Sequence, residues 1–340
     1  MTPAGERPRV SSDLSWADRW GAIKARWGVG RMSYTVEPGL YALNRPDPGS
    51  PVLVTANYKM SFDQLRRSLP GRDAWILVLD TKGINVWCAA GKGTFGNGEL
   101  GRRLAESGLA EIVAHREVIL PQLSGPGIAA HKVKKATGFR AVFGPVRAQD
   151  LPSYLDAGKK TSPEMRLKTF SVWERAVLIP VELVSALKVT LLVGGVMFLA
   201  AGLGGPAGFW ANAAVYGLFA VAALLGAVLA GAIITPLLLP WLPGRAFSLK
   251  GTAAGLAVAL VLAWVLTQVR NGPVWPIRLE MAAWLLLVPA LAAFLGMNFT
   301  GSSTYTSLSG VKKEVRRGLP FQIGAGVAGL GLWFGSRLLA

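Results

Sequence analysis

The chain has 340 residues, of which 51% are hydrophobic and 16% charged, and its 36 basic residues outnumber its 19 acidic ones. A single cysteine, Cys88, excludes a disulfide framework, a zinc site built from cysteines and a cluster held by four cysteines of this chain. Residues 176–340 carry only 10 basic and 3 acidic groups between long apolar runs, far fewer than a soluble domain holds. The composition therefore predicts a membrane protein with an N-terminal soluble domain.

The first 50 residues are predicted to form a separate N-terminal segment. Trp16, Trp20 and Trp27 indicate an amphipathic, Trp-rich helix within it. Residues 1–27 are polar, so no signal peptide is expected. The net positive charge does not indicate nucleic-acid binding, because the basic residues form no cluster on a known reading motif. Positive-inside bias and attraction to anionic lipid headgroups explain it better.

Residues 51–160 have the pattern of an α/β domain. Short apolar, β-branched runs typical of buried strands lie at Val52–Asn57, Trp75–Asp80, Glu111–Ala114 and Phe139–Gly144. Helical patterns lie at about 61–69, 97–107, 127–136 and 150–157. This alternation predicts a Rossmann-like parallel sheet covered on both faces. Ligands bind such sheets beyond the carboxyl ends of the strands, so the loops after the strands are the candidate site.

Two of these loops permit both a structural and a binding interpretation. After the first strand, Ser61 and Gln64 have the spacing of a capping box, which explains Ser61 without a ligand. The Gly-rich stretch Pro121–Gly127 can accept a flat ligand or form a plain turn.

The loop after the second strand is the most informative. Asn85 is a good N-cap for a short helix that starts at Val86, and Gly93 suits the position that ends it. Cys88 then lies in the first turn, where free amide groups favour a thiolate. Three interpretations of Cys88 stay open on these residues: a small buried hydrophobe, a nucleophile without an identified base, and a soft ligand for a metal in a planar macrocycle.

Residues 161–176 are predicted to link this domain to a transmembrane domain, residues 177–340. Five stretches have the length and apolar character to cross a bilayer, at about 177–202, 209–239, 250–269, 279–298 and 319–339. The loops before the first, after the second and after the fourth are the basic ones. The positive-inside rule therefore predicts a multi-pass protein of the cell (inner) membrane, with a cytoplasmic N-terminal domain and the C-terminus outside.

The segment from Asn85 to Lys92, NVWCAAGK, resembles the cap-helix motif of the mercury-methylating corrinoid proteins, the HgcA family. Residues 83–97, 54–59 and 298–308 agree with that family too. The resemblance implies a corrinoid-binding α/β domain followed by an all-α bundle of five transmembrane helices. It also implies kinship with the corrinoid iron–sulfur protein of the acetyl-CoA pathway.

The resemblance implies that Cys88 is the catalytic residue and the lower axial ligand of the corrinoid cobalt. Asn85 would fix the start of the cap helix, and Lys92 would hold a corrin side chain or the nucleotide tail. Trp87 is expected to pack the helix onto the sheet rather than to touch cobalt. The expected cofactor-binding residues are Asn85, Val86, Trp87, Cys88, Ala89, Ala90, Gly91 and Lys92, with Thr55 and Ser61 as weaker candidates.

The implied activity is that of a corrinoid-dependent methyltransferase, which passes a methyl group from the cobalamin-type cofactor to Hg(II) and gives methylmercury. A folate-type compound is the expected methyl donor. Because Cys88 is the only cysteine, this chain is expected to hold no iron–sulfur cluster. Electrons are therefore expected from a ferredoxin-like partner with two 4Fe–4S clusters, HgcB, whose thiols are also expected to deliver mercury.

Two alternatives remain. A membrane-bound corrinoid methyl carrier of one-carbon (acetyl-CoA pathway) metabolism would use the same residues. A transporter with a ligand-sensing domain would instead rely on Glu182 or Lys188, the ionisable residues within the first span.

Overall fold

A computed structural model describes residues 6–205, 207–270, 272–302 and 308–339. The chain divides into two compact units, Met1–Lys168 and Thr169–Ala340. The predicted internal borders at residues 50, 160 and 176 stay predictions.

The first unit is built on a six-stranded sheet with the spatial order β1-β2-β4-β3-β5-β6. β2 is antiparallel to β4, and all other neighbours are parallel. The sheet is therefore mixed. The strands within residues 51–160, for which a parallel sheet is predicted, are parallel, whereas β1 and β2, which precede that range, run in the opposite direction. The chain reverses between β2 and β3 because a short loop joins them, whereas parallel strands need a long crossover. The strands are β1 (Arg9–Val10), β2 (Gly39–Leu43), β3 (Val52–Ala56), β4 (Ala74–Leu79), β5 (Glu117–Leu120) and β6 (Arg140–Phe143).

Helices cover both faces of this sheet. Successive residues of β3 enter opposite clusters: Val52 and Val54 pack with Leu100, whereas Leu53 packs with Phe62 and Tyr154. This alternation is the two-residue period of a strand that is buried on both faces. The helices are α1 (Trp16–Arg26), α2 (Lys59–Arg67), α3 (Val86–Lys92), α4 (Asn97–Glu106), α5 (Leu109–Ile112), α6 (Ala130–Thr137) and α7 (Leu151–Asp156).

Three of the four predicted strands are confirmed, as β3, β4 and β6. The strand predicted at Glu111–Ala114 is wrong, because Leu109–Ile112 forms the short helix α5. Gly108, in the left-handed conformation, precedes this helix, and Leu109 and Ile112 are buried at helical spacing. The third parallel strand is instead β5, six residues later.

The second unit contains four helical segments that are long and apolar enough to span a membrane: Val172–Ala201, Phe209–Leu237, Phe247–Val269 and Val274–Gly301. The C-terminal helix, Leu308–Leu338, covers the fifth predicted span but is not among them. Its apolar half is interrupted by glycines, which lower its hydrophobicity. The prediction of five spans is therefore not confirmed. Residues 303–307, part of the segment that supports the resemblance, lie outside the described residues.

A cluster of charged side chains lies inside this second unit. Glu280 accepts hydrogen bonds from Arg337 at 2.7 Å and from Arg270 at 3.4 Å. The Tyr216 ring contacts both guanidinium groups, with distances of 3.7 and 4.2 Å from ring centroid to Cζ of Arg337 and Arg270. One carboxylate thereby joins the helix of Glu280 to the C-terminal helix and to Arg270, the residue that follows the segment Phe247–Val269.

Candidate functional site

A cavity of about 320 Å³ lies where strands β3 and β5 end. Its position agrees with the expectation that ligands bind beyond the carboxyl ends of parallel strands. The lining is largely apolar, with a few polar groups, which is typical of pockets for organic ligands. The lining residues are Leu53, Val54, Thr55, Ser61, Gln64, Leu65, Asn85, Val86, Trp87, Ile119, Leu120, Pro121, Leu123, Pro145, Val146, Ala148 and Leu151.

The turn between β4 and α3 is fixed by Asn57, at the end of β3. The backbone amides of Thr81 and Gly83 donate hydrogen bonds to Asn57 Oδ1 at 3.1 and 3.0 Å. The Thr81 hydroxyl donates to the carbonyl of Ile84 at 2.7 Å. Asn57 is buried, so one amide oxygen sets the path of the chain into α3. Sequence reasoning missed this role, although an amide side chain directly after a buried strand is a detectable signal.

Helix α3 begins and ends as the sequence predicts. Asn85 is the N-cap, and its Oδ1 accepts a hydrogen bond from the Cys88 amide at 2.9 Å. Gly93 ends the helix in the left-handed conformation, with φ of 83°. Cys88 therefore lies in the first turn of α3.

The two sides of α3 have opposite surroundings. Ala89 and Ala90 are buried in the core of the domain. Cys88 is half-buried and Lys92 is exposed, and a Cβ built on Gly91 would meet no atom within 4 Å. The side that carries the sulfur is thus open, and the absence of a side chain at Gly91 lets a flat molecule approach.

The predicted site residues fall into two groups. Thr55, Ser61, Asn85, Val86 and Trp87 line the cavity. The remaining predicted residues, Cys88, Ala89, Ala90, Gly91 and Lys92, belong to the same helix but are not part of the cavity lining.

The structure corrects the expected capping role of Ser61. Trp87 lines the cavity, and Val86, Ala89 and Ala90 pack α3 against the core. The packing of Trp87 onto the sheet stays a prediction. Ser61 does not cap α2, because the helix already begins at Lys59 with Tyr58 as N-cap. The Lys59 amide donates to the Tyr34 carbonyl at 2.9 Å, which starts the helix two residues earlier than the predicted cap.

The stretch Pro121–Gly127 both lines the cavity and packs against α3. Pro121 and Leu123 are part of the lining. A Cβ on Gly127 would lie 2.1 Å from the Phe95 carbonyl oxygen and 3.1 Å from Ala90 Cα. Glycine is therefore required for this close approach of two backbones, a requirement that sequence reasoning did not identify.

Two charged side chains brace the end of β4. Glu99 of α4 accepts a hydrogen bond from the Asp80 amide at 2.7 Å, and Asp80 pairs with Lys82 at 2.6 Å. Partial burial alone would raise the pKa of Glu99, but hydrogen bonds from the Asp80 amide, Arg102 and Arg103 outweigh it and lower the pKa. The hydrogen bond from Lys82 is the main cause of the lowered pKa of Asp80. Both carboxyls are therefore ionised at neutral pH.

A histidine base for Cys88 is not supported by the position of His115. Its Nε2 lies 3.0 Å from the Ser50 carbonyl oxygen, at the amino end of β3, whereas α3 follows the carboxyl ends of the strands. Within the described residues, no group of three or more His, Cys, Asp or Glu side chains is placed to hold a metal ion.

A corrinoid fits the residues at the carboxyl ends of β3 and β5 and on the open side of α3. The open side of α3 offers one soft sulfur donor next to a glycine without neighbours, and an apolar cavity adjoins the start of the same helix. Thiolate sulfur is a suitable ligand for a transition metal, and neutral polar groups such as Thr55 and Ser61 suit the amide side chains of the macrocycle.

Comparison with known proteins identifies relatives of this domain. Residues 29–155 match the CO dehydrogenase/acetyl-CoA synthase delta subunit family. The chain is also 31% identical over 128 residues to the acetyl-CoA decarbonylase/synthase complex subunit gamma of Methanothermobacter thermautotrophicus. It is 35% identical over 117 residues to the subunit of the same name from Methanocaldococcus jannaschii.

The family match lies within the first unit, Met1–Lys168. The alignments cover 37% and 34% of this chain, and 28% and 23% of the two archaeal subunits. The chain therefore spans about a quarter of the length of the curated relatives that it matches. The acetyl-CoA pathway relationship implied by the cap-helix segment agrees with these relatives, while mercury methylation is not indicated by them.

Proposed function

We propose that the chain is a membrane-bound, corrinoid-dependent methyltransferase in which Cys88 is the lower axial ligand of cobalt. The observation that carries this proposal is the open side of α3, where the single cysteine lies half-buried beside Gly91. The similarity to acetyl-CoA decarbonylase/synthase subunits supports a corrinoid as the cofactor. The four candidate spans support membrane attachment.

When bound, the corrinoid would supply methyl-transfer chemistry at its cobalt. The Cys88 sulfur would hold the cobalt as a soft, electron-donating ligand and would thereby favour methyl transfer to an electrophilic acceptor. Asn85 holds the first turn of α3, and Asn57 holds the turn before it, so both position the sulfur. Trp87, Thr55 and Ser61 bind the cofactor from the cavity, and Lys92 binds a peripheral side chain or the nucleotide tail.

We propose Hg(II) as the methyl acceptor. The support is the segment Asn85–Lys92, whose eight residues resemble the cap helix of the mercury-methylating family. A methyl group that leaves with its electron pair suits an electrophilic metal ion. The proposed partner is a ferredoxin-like protein with two 4Fe–4S clusters, which supplies electrons and presents thiols to mercury.

A second candidate is a methyl carrier of one-carbon metabolism. It is favoured by the relatives, which are subunits of acetyl-CoA decarbonylase/synthase complexes. The same domain and the same Cys88 would serve, and only the acceptor would differ.

A competition experiment distinguishes the two acceptors. The full chain is loaded with methylated corrinoid in detergent. One sample receives Hg(II) complexed by a thiol, and a second sample receives an acetyl-CoA decarbonylase/synthase preparation. In both, the absorption spectrum of the corrinoid reports loss of the methyl group. Release of methylmercury at a rate above that of free methylcobalamin supports Hg(II) as the acceptor. Transfer only to the synthase preparation would instead establish the one-carbon carrier.

A further inference from the structure

Helix α1 and its C-cap residue Trp27 form an exposed apolar stripe that the proposed methyl transfer does not use. Trp16, Trp20, Ile23 and Trp27 follow one another at spacings of four, three and four residues. At about 100° per residue they lie within an arc of roughly 60°. Their exposed fractions are 73%, 50%, 42% and 47%. An exposed patch of this kind marks an interaction site on a protein surface.

The opposite side of α1 is fixed to the domain. Gly21 and Ala25 are buried, and a Cβ on Gly21 would lie 2.6 Å from the Tyr34 hydroxyl oxygen. Asp18 pairs with Lys59 at 2.6 Å and with Arg66 at 2.7 Å. These contacts prevent the helix from turning its tryptophans inward, so the stripe stays on the surface.

The charges around the stripe are positive. Arg19 and Lys24 are exposed on its two sides, about 70° from its centre at 100° per residue. Asp18 is the only acidic residue of α1, and it is neutralised by the two cations of α2. The stripe is therefore bordered by basic groups and complements an anionic surface.

We propose that this stripe docks on the anionic surface of the lipid bilayer that holds the candidate spans. Tryptophan rings prefer the interface between headgroups and acyl chains, and flanking basic residues attract anionic headgroups. The soluble unit would then contact the bilayer through α1 in addition to its covalent link to the helical unit. The proposal uses no cofactor contact, so it does not depend on the proposed activity.

The test measures where residue 23 lies in the full-length protein. In a Cys88→Ala background, which has no other cysteine, a nitroxide label is attached at Ile23→Cys and the protein is reconstituted into vesicles. Paramagnetic resonance then compares collisions with oxygen, which concentrates in lipid, and with a water-soluble nickel complex. Leu192→Cys, on an exposed position of the first candidate span, is the lipid reference, and Lys135→Cys, exposed on α6, is the aqueous reference.

In vesicles that contain phosphatidylglycerol, the label at residue 23 is expected to have an oxygen-to-nickel ratio several times that of the aqueous reference. Arg19→Glu with Lys24→Glu is expected to lower the ratio, because the helix loses its attraction to the anionic surface. A ratio equal to the aqueous reference would overturn the proposal. Spin–spin broadening of the spectrum would overturn the proposal and show that the stripe contacts a second copy of this chain. Shielding of the label from both oxygen and nickel would also overturn it and show that the stripe contacts another protein.

Discussion

Asn57 is the residue on which the path of the chain into α3 depends. Its side chain accepts from two backbone amides that would otherwise be buried without a partner. The residue lies at the end of β3, and its partners lie at the end of β4, 24 and 26 residues later. No local pattern of sequence contains that relationship, whereas the N-cap Asn85 and the terminal Gly93 are local signals and were predicted correctly.

Asn57→Ala is expected to loosen the turn before α3. Loss of one buried acceptor costs about 1–3 kcal/mol, which corresponds to roughly five- to 150-fold faster local opening. Hydrogen exchange followed by mass spectrometry should show this acceleration for peptides that cover residues 81–88. Asn44→Gly, which removes the hydrogen bond of another amide side chain to the Arg72 carbonyl and suits the φ of 58° at that position, is the control and should leave the exchange of residues 81–88 unchanged. Equal exchange in Asn57→Ala and the unmodified protein would show that the side chain does not hold the turn.

At the scale of elements, helix α3 illustrates what sequence reasoning can supply. Its start and its end follow from the Asn85 cap and the left-handed Gly93, both of which act within a few residues. The position of Trp87 in the cavity lining was not predicted, because the shape of the cavity depends on β3, β5 and the 121–127 stretch. Strand β5 was not predicted because two short apolar runs lie close together in the sequence, and tertiary packing decides which of them becomes the strand.

Gly91→Leu separates the stability of α3 from its proposed role. Replacement of glycine inside a helix stabilises it by up to about 1 kcal/mol, and the structure offers space for the side chain. If a corrin ring lies against this side, the same side chain blocks it and weakens corrinoid binding about tenfold or more. Titration with cobalamin, followed by absorbance, measures the affinity. Gly98→Leu on α4, also an open position, is the control that should keep it. Unchanged affinity in Gly91→Leu would place the ring elsewhere.

The interaction between Glu99 of α4 and Asp80 at the end of β4 predicts that the domain loses stability in acid. The pKa values of Glu99 and Asp80 are lowered in the folded domain from usual values of 4.5 and 3.8. Their ionised forms therefore stabilise the domain above those usual values, and this contribution is lost as the pH falls through the lowered ones. Thermal unfolding between pH 6 and about pH 3 should show a falling midpoint, and Glu99→Gln should flatten part of that fall. An identical pH profile in the variant would contradict the assignment.

At the scale of the whole molecule, composition correctly divides the chain into a globular part and an apolar helical part. The number of membrane spans is harder to predict from composition, because the hydrophobicity of the glycine-rich C-terminal helix is intermediate between that of spanning and non-spanning helices. The cluster around Glu280 was not foreseen either, since its arginines lie 10 and 57 residues away along the chain. Only the packing of helices brings them together.

Glu280→Gln is expected to destabilise the helical unit strongly. The side chains of Arg270 and Arg337 are 7% and 3% exposed, so both would keep a buried charge without its counter-ion. Removal of one partner from a buried ion pair costs about 3–5 kcal/mol. The amount of monodisperse protein that survives heating in detergent measures this effect. Arg278→Gln, an exposed neighbour on the same helix, should behave as the unmodified protein does. Equal heat resistance of the two variants would show that the cluster is not structural.

The measurement that tests the central claim most directly is the visible absorption spectrum of the full chain reconstituted with cobalamin, beside Cys88→Ala. Thiolate coordination should shift the Co(III) bands of the unmodified protein, and the shift should be absent from the variant. Identical spectra with corrinoid bound to both proteins would contradict the role of Cys88 as axial ligand. Failure of both proteins to bind corrinoid would contradict the proposed function itself.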